Sequence, residues 1–226
     1  MMKRFLALTL LLFSLALSAA EFKCDFTPAG WKAEDWILIK SPRWEHFGNW
    51  TQAADHIANQ VPEGASEAEM LGAKAAETYT SMLWGQKISA QKKVVLKSEM
   101  SFDHRMAPLL VIAPEYGNDA QGRPEYREHW EVVLYDEGLN VWHHSLKDGK
   151  PAWYKAGYLK AKYPAKEKLQ LVVTITFPGG ERHPIIEVEC NGQSFGYSEI
   201  ALPKEFYVGL TGCEGINRFY NFSVSY

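Results

Sequence analysis

The chain has little of several things, and each shortage closes off a class. Its 226 residues carry 24 Lys and Arg against 27 Asp and Glu. There is no basic surplus of the kind that neutralises phosphates, so nucleic acid is not an expected partner. The apolar run from Phe5 to Leu17 is shorter than the roughly 20 residues that cross a bilayer, and no later segment comes close, so no membrane insertion is expected. Only three cysteines are present, Cys24, Cys190 and Cys213, and their spacing matches no metal motif. In an exported chain one disulfide would leave an odd thiol. Cys190 with Cys213 is then the first pairing to expect and Cys24 the competing partner, with three buried free thiols as the equal alternative. Repeats, low-complexity tracts and Pro-rich linkers are lacking too, so no domain boundary is visible.

What is there begins with Lys3 and Arg4, the apolar run, and then Ser18-Ala19-Ala20. These are the three parts of an export signal over residues 1–20, with cleavage expected before Glu21. Cys24 lies four residues beyond the cut rather than directly after it, which disfavours a lipid anchor. A soluble periplasmic or secreted product is the expectation. Losing Lys3 and Arg4 leaves 22 basic against 27 acidic residues, a net charge of −5. Residues 21–226 suit one all-β domain. Eight Trp and 13% aromatic residues exceed what a core of this size needs. Flat rings with a polar edge suit sugars.

The C-terminal half has the plainest pattern. Leu169, Leu171, Val173, Ile175 and Phe177 alternate with Gln170, Thr174 and Thr176, the period of a half-buried strand, and Pro178-Gly179-Gly180 ends it. Strands are also expected at Pro184 to Cys190 and Gln193 to Ser198, joined at Asn191-Gly192, whose residues tolerate the positive φ of a two-residue hairpin turn. Phe206 to Leu210 and Phe219 to Tyr226 follow. Upstream, Val94 to Asp103, Leu109 to Ala113, His129 to Tyr135 and Leu139 to His144 read as strands, with Trp36 to Lys40 and Tyr79 to Trp84 as weaker ones. Ser66 to Thr78 alone looks helical, with Ser66 and Glu69 at capping-box spacing and Gly72 against it. Glu115 to Arg127 reads as a polar loop of the kind that borders binding grooves. Many short strands between turn signals mean a sandwich or jelly roll.

Several segments, in this order, carry a resemblance. They are Gly48-Asn49-Trp50, the SFDH of Ser101 to His104 leading into MAPLLVIA, the EHWEVVLYDEG stretch, the Asn-Gly hairpin, and the closing YVGLTG and RFYNFSVSY. Together, over most of the chain past residue 20, they resemble the concanavalin A-like lectin/glucanase superfamily, especially bacterial secreted domains of sugar-utilisation loci. The resemblance implies an all-β, two-sheet jelly roll whose concave face binds glycans. It leaves catalysis open, since the superfamily contains lectins, hydrolases and lyases.

The densest polar cluster is Pro124 to His144. If Glu128 to Asp136 is one strand, His129, Glu131, Val133 and Tyr135 share a face, and Trp130, Val132 and Leu134 point to the core. On the next strand Asn140, Trp142 and His144 share a face. His129, Glu131 and Tyr135 are the candidate catalytic residues, and Arg127, Asn140, Trp142 and His144 the candidate substrate contacts. Arg127 follows His129 in the alternation if the strand starts early, and Arg105 is a second candidate cation. A glycoside hydrolase needs two carboxylates about 5.5 Å apart or further. Val133 and His129 hold the positions two residues from Glu131, so the acid-x-acid-x-x-acid pattern of many jelly-roll glucanases is missing. A polysaccharide lyase needs a base, an acid and a cation, and the cluster has those types. His143 and His144, as strand neighbours, point to opposite faces and do not share a metal ion with Asp103, His104 or Asp136. No cofactor is expected, apart from a structural Ca²⁺ that oxygens near Asn118 to Gln121 could take.

The leading expectation is an exported protein that binds a poly- or oligosaccharide in a groove, with cleavage by hydrolysis or elimination left open. A non-catalytic carbohydrate-binding module and a protein-interaction sandwich are the alternatives. Trp142 and Trp153 divide between core and sugar platform in these readings.

Overall fold

The computed structural model describes residues 20–104 and 107–226. The expected export signal, apart from Ala20, and Arg105 lie outside the described residues. In chain order the strands are β1 (Glu21–Asp25), β2 (Trp36–Ile39), β3 (Trp50–Gln52), β4 (Ile57–Asn59), β5 (Thr80–Trp84) and β6 (Ile88–Ser89). The long ones come next: β7 (Lys93–Phe102), β8 (Pro108–Asn118), β9 (Pro124–Tyr135), β10 (Gly138–Lys147) and β11 (Lys150–Lys160). Then follow β12 (Leu169–Thr176), β13 (Ile185–Cys190), β14 (Gln193–Ser198), β15 (Glu205–Gly212), β16 (Asn217–Phe219) and β17 (Asn221–Ser225).

They form two antiparallel sheets. One has the order β14-β13-β12-β7-β16-β4-β3, with β17 pairing both β7 and β1. The other runs β11-β10-β9-β8-β15-β5-β2, with β6 against β15. The alternation in β12 buries Leu169, Leu171, Val173 and Ile175, and these meet Trp130, Val132 and Leu134 of β9 in one buried cluster between the sheets. The other face of β9 therefore looks outward, as the alternation required.

Three local features depart from, or sharpen, the sequence reading. The Asn-Gly turn forms as expected, with φ of 51° at Asn191 and 74° at Gly192 and Cys190 opposite Gln193. The expected single helix is two, α1 (Glu67–Leu71) and α2 (Ala75–Thr78). Ser66 and Glu69 make the reciprocal capping box. Gly72 then leaves the helical region at φ −128°, ψ −105°, and the chain restarts. The segment Glu115 to Arg127 is not a free loop. β8 and β9 run on through it, and only residues 119–123 turn.

That turn has a task. Asp119 accepts from the backbone N–H groups of Gln121 and Arg123 and pairs with the Arg123 guanidinium. Lys40, only 3% exposed, lies 3.5 Å from Asp119 and 3.2 Å from Glu125. Both Asp119 oxygens are thereby engaged by protein donors. The hairpin tip anchors the segment after β2, whose Lys40 backbone bonds to Pro124 and Tyr126. Arg43 and Trp44 are thereby carried onto the outer face of the second sheet.

Candidate functional site

On that outer face β9 and β10 set the site by register. His129 stands opposite His144, Glu131 opposite Trp142, and Val133 opposite Asn140. Beyond them β11 places Trp153 opposite His144 and Lys155 opposite Trp142. Ala156 is an extra residue at a bulge, so Tyr158, opposite Asn140, returns to the same face. The result is a cavity of about 380 Å³. Glu131, Val133 and Leu109 line it from the sheet, with Tyr135, Asn140, Trp142 and His144 alongside.

Glu131 is the electrostatic centre and is only 8% exposed. Its Oε1 accepts from the Tyr79 hydroxyl at 3.3 Å and lies 3.4 Å from His129 Nε2. Its Oε2 is 3.1 Å from His144 Nε2. Burial alone would raise its pKa, but the imidazoles of His144 and His129 outweigh it and hold the carboxyl well below the usual range. Burial pushes His129 down to about 4, against a smaller opposing pull from Glu131. At neutral pH the ring is uncharged and the carboxylate ionised. His129 is stacked between Tyr126 at 4.1 Å and His144 at 4.7 Å, and it lies behind Glu131 rather than on the cavity wall. His129, Glu131 and His144 each offer a donor atom within 4.8 Å of the others, a set able to hold a metal ion.

The remaining walls come from other parts of the chain. Trp44 packs edge-on against Tyr79 at 5.1 Å. The Arg43 guanidinium lies 4.7 Å over Trp44 and 4.2 Å over Trp153, bridging one rim. Lys155 sits 5.2 Å over Trp142 and 4.9 Å over Tyr158. Glu214 enters from the turn after β15, in the left-handed region at φ 53°, its backbone N–H held by Thr78 Oγ1 at 2.7 Å. Burial raises its pKa, partly offset by Arg43. Tyr135 is pushed up to about 12 by burial and by the neighbouring Tyr158.

Of the seven residues singled out from sequence, Glu131, Tyr135, Asn140, Trp142 and His144 converge on the cavity, and His129 supports it from beneath. Arg127 does not join them. It is the extra residue of a second bulge, between the pairs Glu115 with Glu128 and Tyr116 with Tyr126. The bulge breaks the alternation that would have lined it up with His129. Its guanidinium instead holds Glu125 and the Asn118 carbonyl. His143 points to the opposite face, as strand geometry requires, where it bonds Glu128 and Tyr154 at 2.8 Å each. Asp103 is engaged bidentately by Arg218. Trp153, read from sequence as core or sugar platform, lines the cavity, and Arg43, Trp44, Tyr79, Lys155 and Glu214 line it without having been found as site residues in the sequence. Their only local signals were a Trp beside an Arg, and an acid before Gly215 at a strand end.

Fold and site together define a concanavalin A-like jelly-roll protein with an aromatic-rimmed cavity on one sheet. No protein-family model and no curated protein matches the sequence. Among solved structures, the chain is similar to the carbohydrate-binding module CBM66 from Bacillus subtilis, with 10% identity and a TM-score of 0.54, covering 85% of this chain and 96% of that one. It is similar to peanut lectin in complex with a nine-residue peptide, at 10% identity and a TM-score of 0.53 over 92% and 98% of the two chains. The carbohydrate recognition domain of Emp47p aligns at 8% identity and a TM-score of 0.57, over 93% and 97%. At such identities the likeness is one of fold.

Proposed function

We propose that this chain binds a poly- or oligosaccharide in the cavity on the outer face of the second sheet. The observation that carries the reading is the wall itself: Trp44, Trp142 and Trp153 around Asn140, Glu131 and His144. Rings stack on the apolar faces of sugars, while amide, carboxylate and imidazole take hydroxyls. Its structural neighbours include a carbohydrate-binding module and a carbohydrate recognition domain, which supports the same reading. Calorimetry against a panel of neutral and uronate-containing oligosaccharides tests it. Saturable binding of at least one is expected, and binding of none overturns the proposal.

Cleavage is a second reading, favoured by one specific feature. No acid stands two residues from Glu131 on its strand, but the fold brings Glu214 to the same cavity. Two carboxylates on one pocket are the minimal apparatus of glycoside hydrolysis, with the partly buried Glu214 as proton donor. Sugar release by the wild type that falls by about a hundredfold or more in Glu214→Gln is the expected result. A wild type that binds a glycan and releases nothing leaves the protein a binding module.

Export belongs to the same proposal. The first sheet begins at Glu21, paired with Ser225, which suits a mature chain starting there. Mass spectrometry of exported protein is expected to find Glu21 at the N-terminus, and an intact Met1 overturns it.

A further inference from the structure

We infer that His129, Glu131 and His144 form a binding site for a divalent transition-metal ion at the floor of the cavity. The ladder sets two histidines directly opposite each other on β9 and β10, with a carboxylate two residues along on the same face. The sequence argument against a metal concerned His143 and His144, neighbours on one strand that face apart. Across the ladder the fold pairs His144 with a different histidine.

The distances suit an ion. Bonds of about 2.0 to 2.2 Å place ligand atoms roughly 2.8 to 3.6 Å apart in octahedral or tetrahedral geometry. The two carboxylate–imidazole separations are 3.4 and 3.1 Å, one to each oxygen of Glu131. The third edge, between the two imidazoles, is within 4.8 Å, and their stacked rings must turn out of parallel for both nitrogens to face one ion.

A second observation points the same way. His144 Nε2, buried and 3.1 Å from Glu131 Oε2, makes no hydrogen bond, and it is the nitrogen that faces the carboxylate; the unpaired Nδ1 of His129 is on the other side of its ring from the Nε2 that approaches Glu131. Buried polar atoms left unsatisfied require an explanation, and an ion is one. The His129 and His144 side chains are more than nine-tenths buried, 1% and 7% exposed, and that of Glu131 is 11% exposed. The Tyr79 hydroxyl donates to Oε1 of Glu131, the kind of outer contact that orients a ligand.

The donor set selects the metal class. Two imidazoles and one carboxylate suit Zn²⁺, Co²⁺, Ni²⁺ or Fe²⁺ and not Ca²⁺ or Mg²⁺, which take oxygen. Glu131 and His144 line the cavity, so the open coordination positions face it.

The test is titration of chelator-treated protein with Zn²⁺ and, separately, Co²⁺, read by calorimetry and by the visible bands of Co²⁺. One equivalent is expected to bind, with a higher melting temperature on Zn²⁺ addition. Glu131→Gln, close to isosteric, is expected to weaken binding by roughly tenfold or more, as is His144→Gln. His143→Gln, which faces the other way, leaves binding unchanged. Because the three ligands are buried, histidine-ring NMR of the wild type is read alongside. The rings of His129 and His144 shift on Zn²⁺ addition if the site is as inferred. Absence of uptake at roughly 100 μM of either ion overturns the inference, as does full-affinity binding in folded Glu131→Gln or shifts confined to other histidines.

Discussion

Trp142 shows how one side chain separates the readings of this site. It is half-buried, with Lys155 over one face and Glu131 opposite on the ladder, and it lines the cavity. A core tryptophan cut to Ala costs about 3 to 5 kcal/mol of stability. A platform costs binding instead. Trp142→Ala is therefore expected to weaken glycan affinity by about 1 to 3 kcal/mol through lost aromatic burial, with the melting temperature little changed. Calorimetry paired with thermal unfolding checks both halves, and a large fall in melting temperature with unaltered affinity contradicts the assignment. The sequence named Trp142 because it shares a face with Asn140 and His144, a relation that strand periodicity settles. Glu214 was out of reach, because its place in the cavity depends on where β15 ends against α2, some 136 positions from the Thr78 hydroxyl that holds it.

The elements divide along the same line. Those with their own period or turn chemistry were legible: β12 by alternation, α1 by its capping box, and the β13–β14 hairpin by Asn-Gly. Those interrupted by bulges were not. Ala156 resets the phase of β11, which hid Trp153, Lys155 and Tyr158 as one face, and Arg127 does the same to β9. The short β3 and β4 owe their form to pairing with each other and with β16. The hairpin gives the sharpest check on what was legible. At Gly192, φ of 74° is strained for any side chain and worst for a β-branched one, although open space surrounds its Cβ position. Gly192→Val is expected to cost about 1 kcal/mol or more, read as a lower melting temperature. Gly157 is the contrasting case, where a Cβ would come within 2.5 Å of the Phe195 ring. There Gly157→Ala forces β11 and β14 apart through crowding, not backbone strain.

The two-sheet architecture itself decides the state of the three thiols. Cys190 belongs to the cluster between the sheets, whereas Cys213 packs with Tyr79, Leu109 and Val133 on the outer side of the second sheet. A bridge between them would have to pass through a sheet. Cys24 on β1 and Cys190 on β13 are in one sheet but four strand spacings apart, in the order β1, β17, β7, β12, β13, or about 19 Å, against the 7 Å limit for a disulfide. All three stay free, which overturns the Cys190–Cys213 pairing expected from sequence and leaves the alternative of three buried thiols. Burial, with Asp25 and Asp35 adding to it, pushes the Cys24 thiol up to about 12. Burial next to Glu189 does the same for Cys190, and Cys213 rises well above its ordinary value. Near pH 8 none of the three is a thiolate, and the thiolate is the reactive species. An aromatic disulfide reagent at that pH is therefore expected to find no reactive thiol in the native protein and three once a denaturant has opened both sheets. A count of one in denaturant would mean that two of the cysteines are bridged, and the sheet arrangement described here could not then be right.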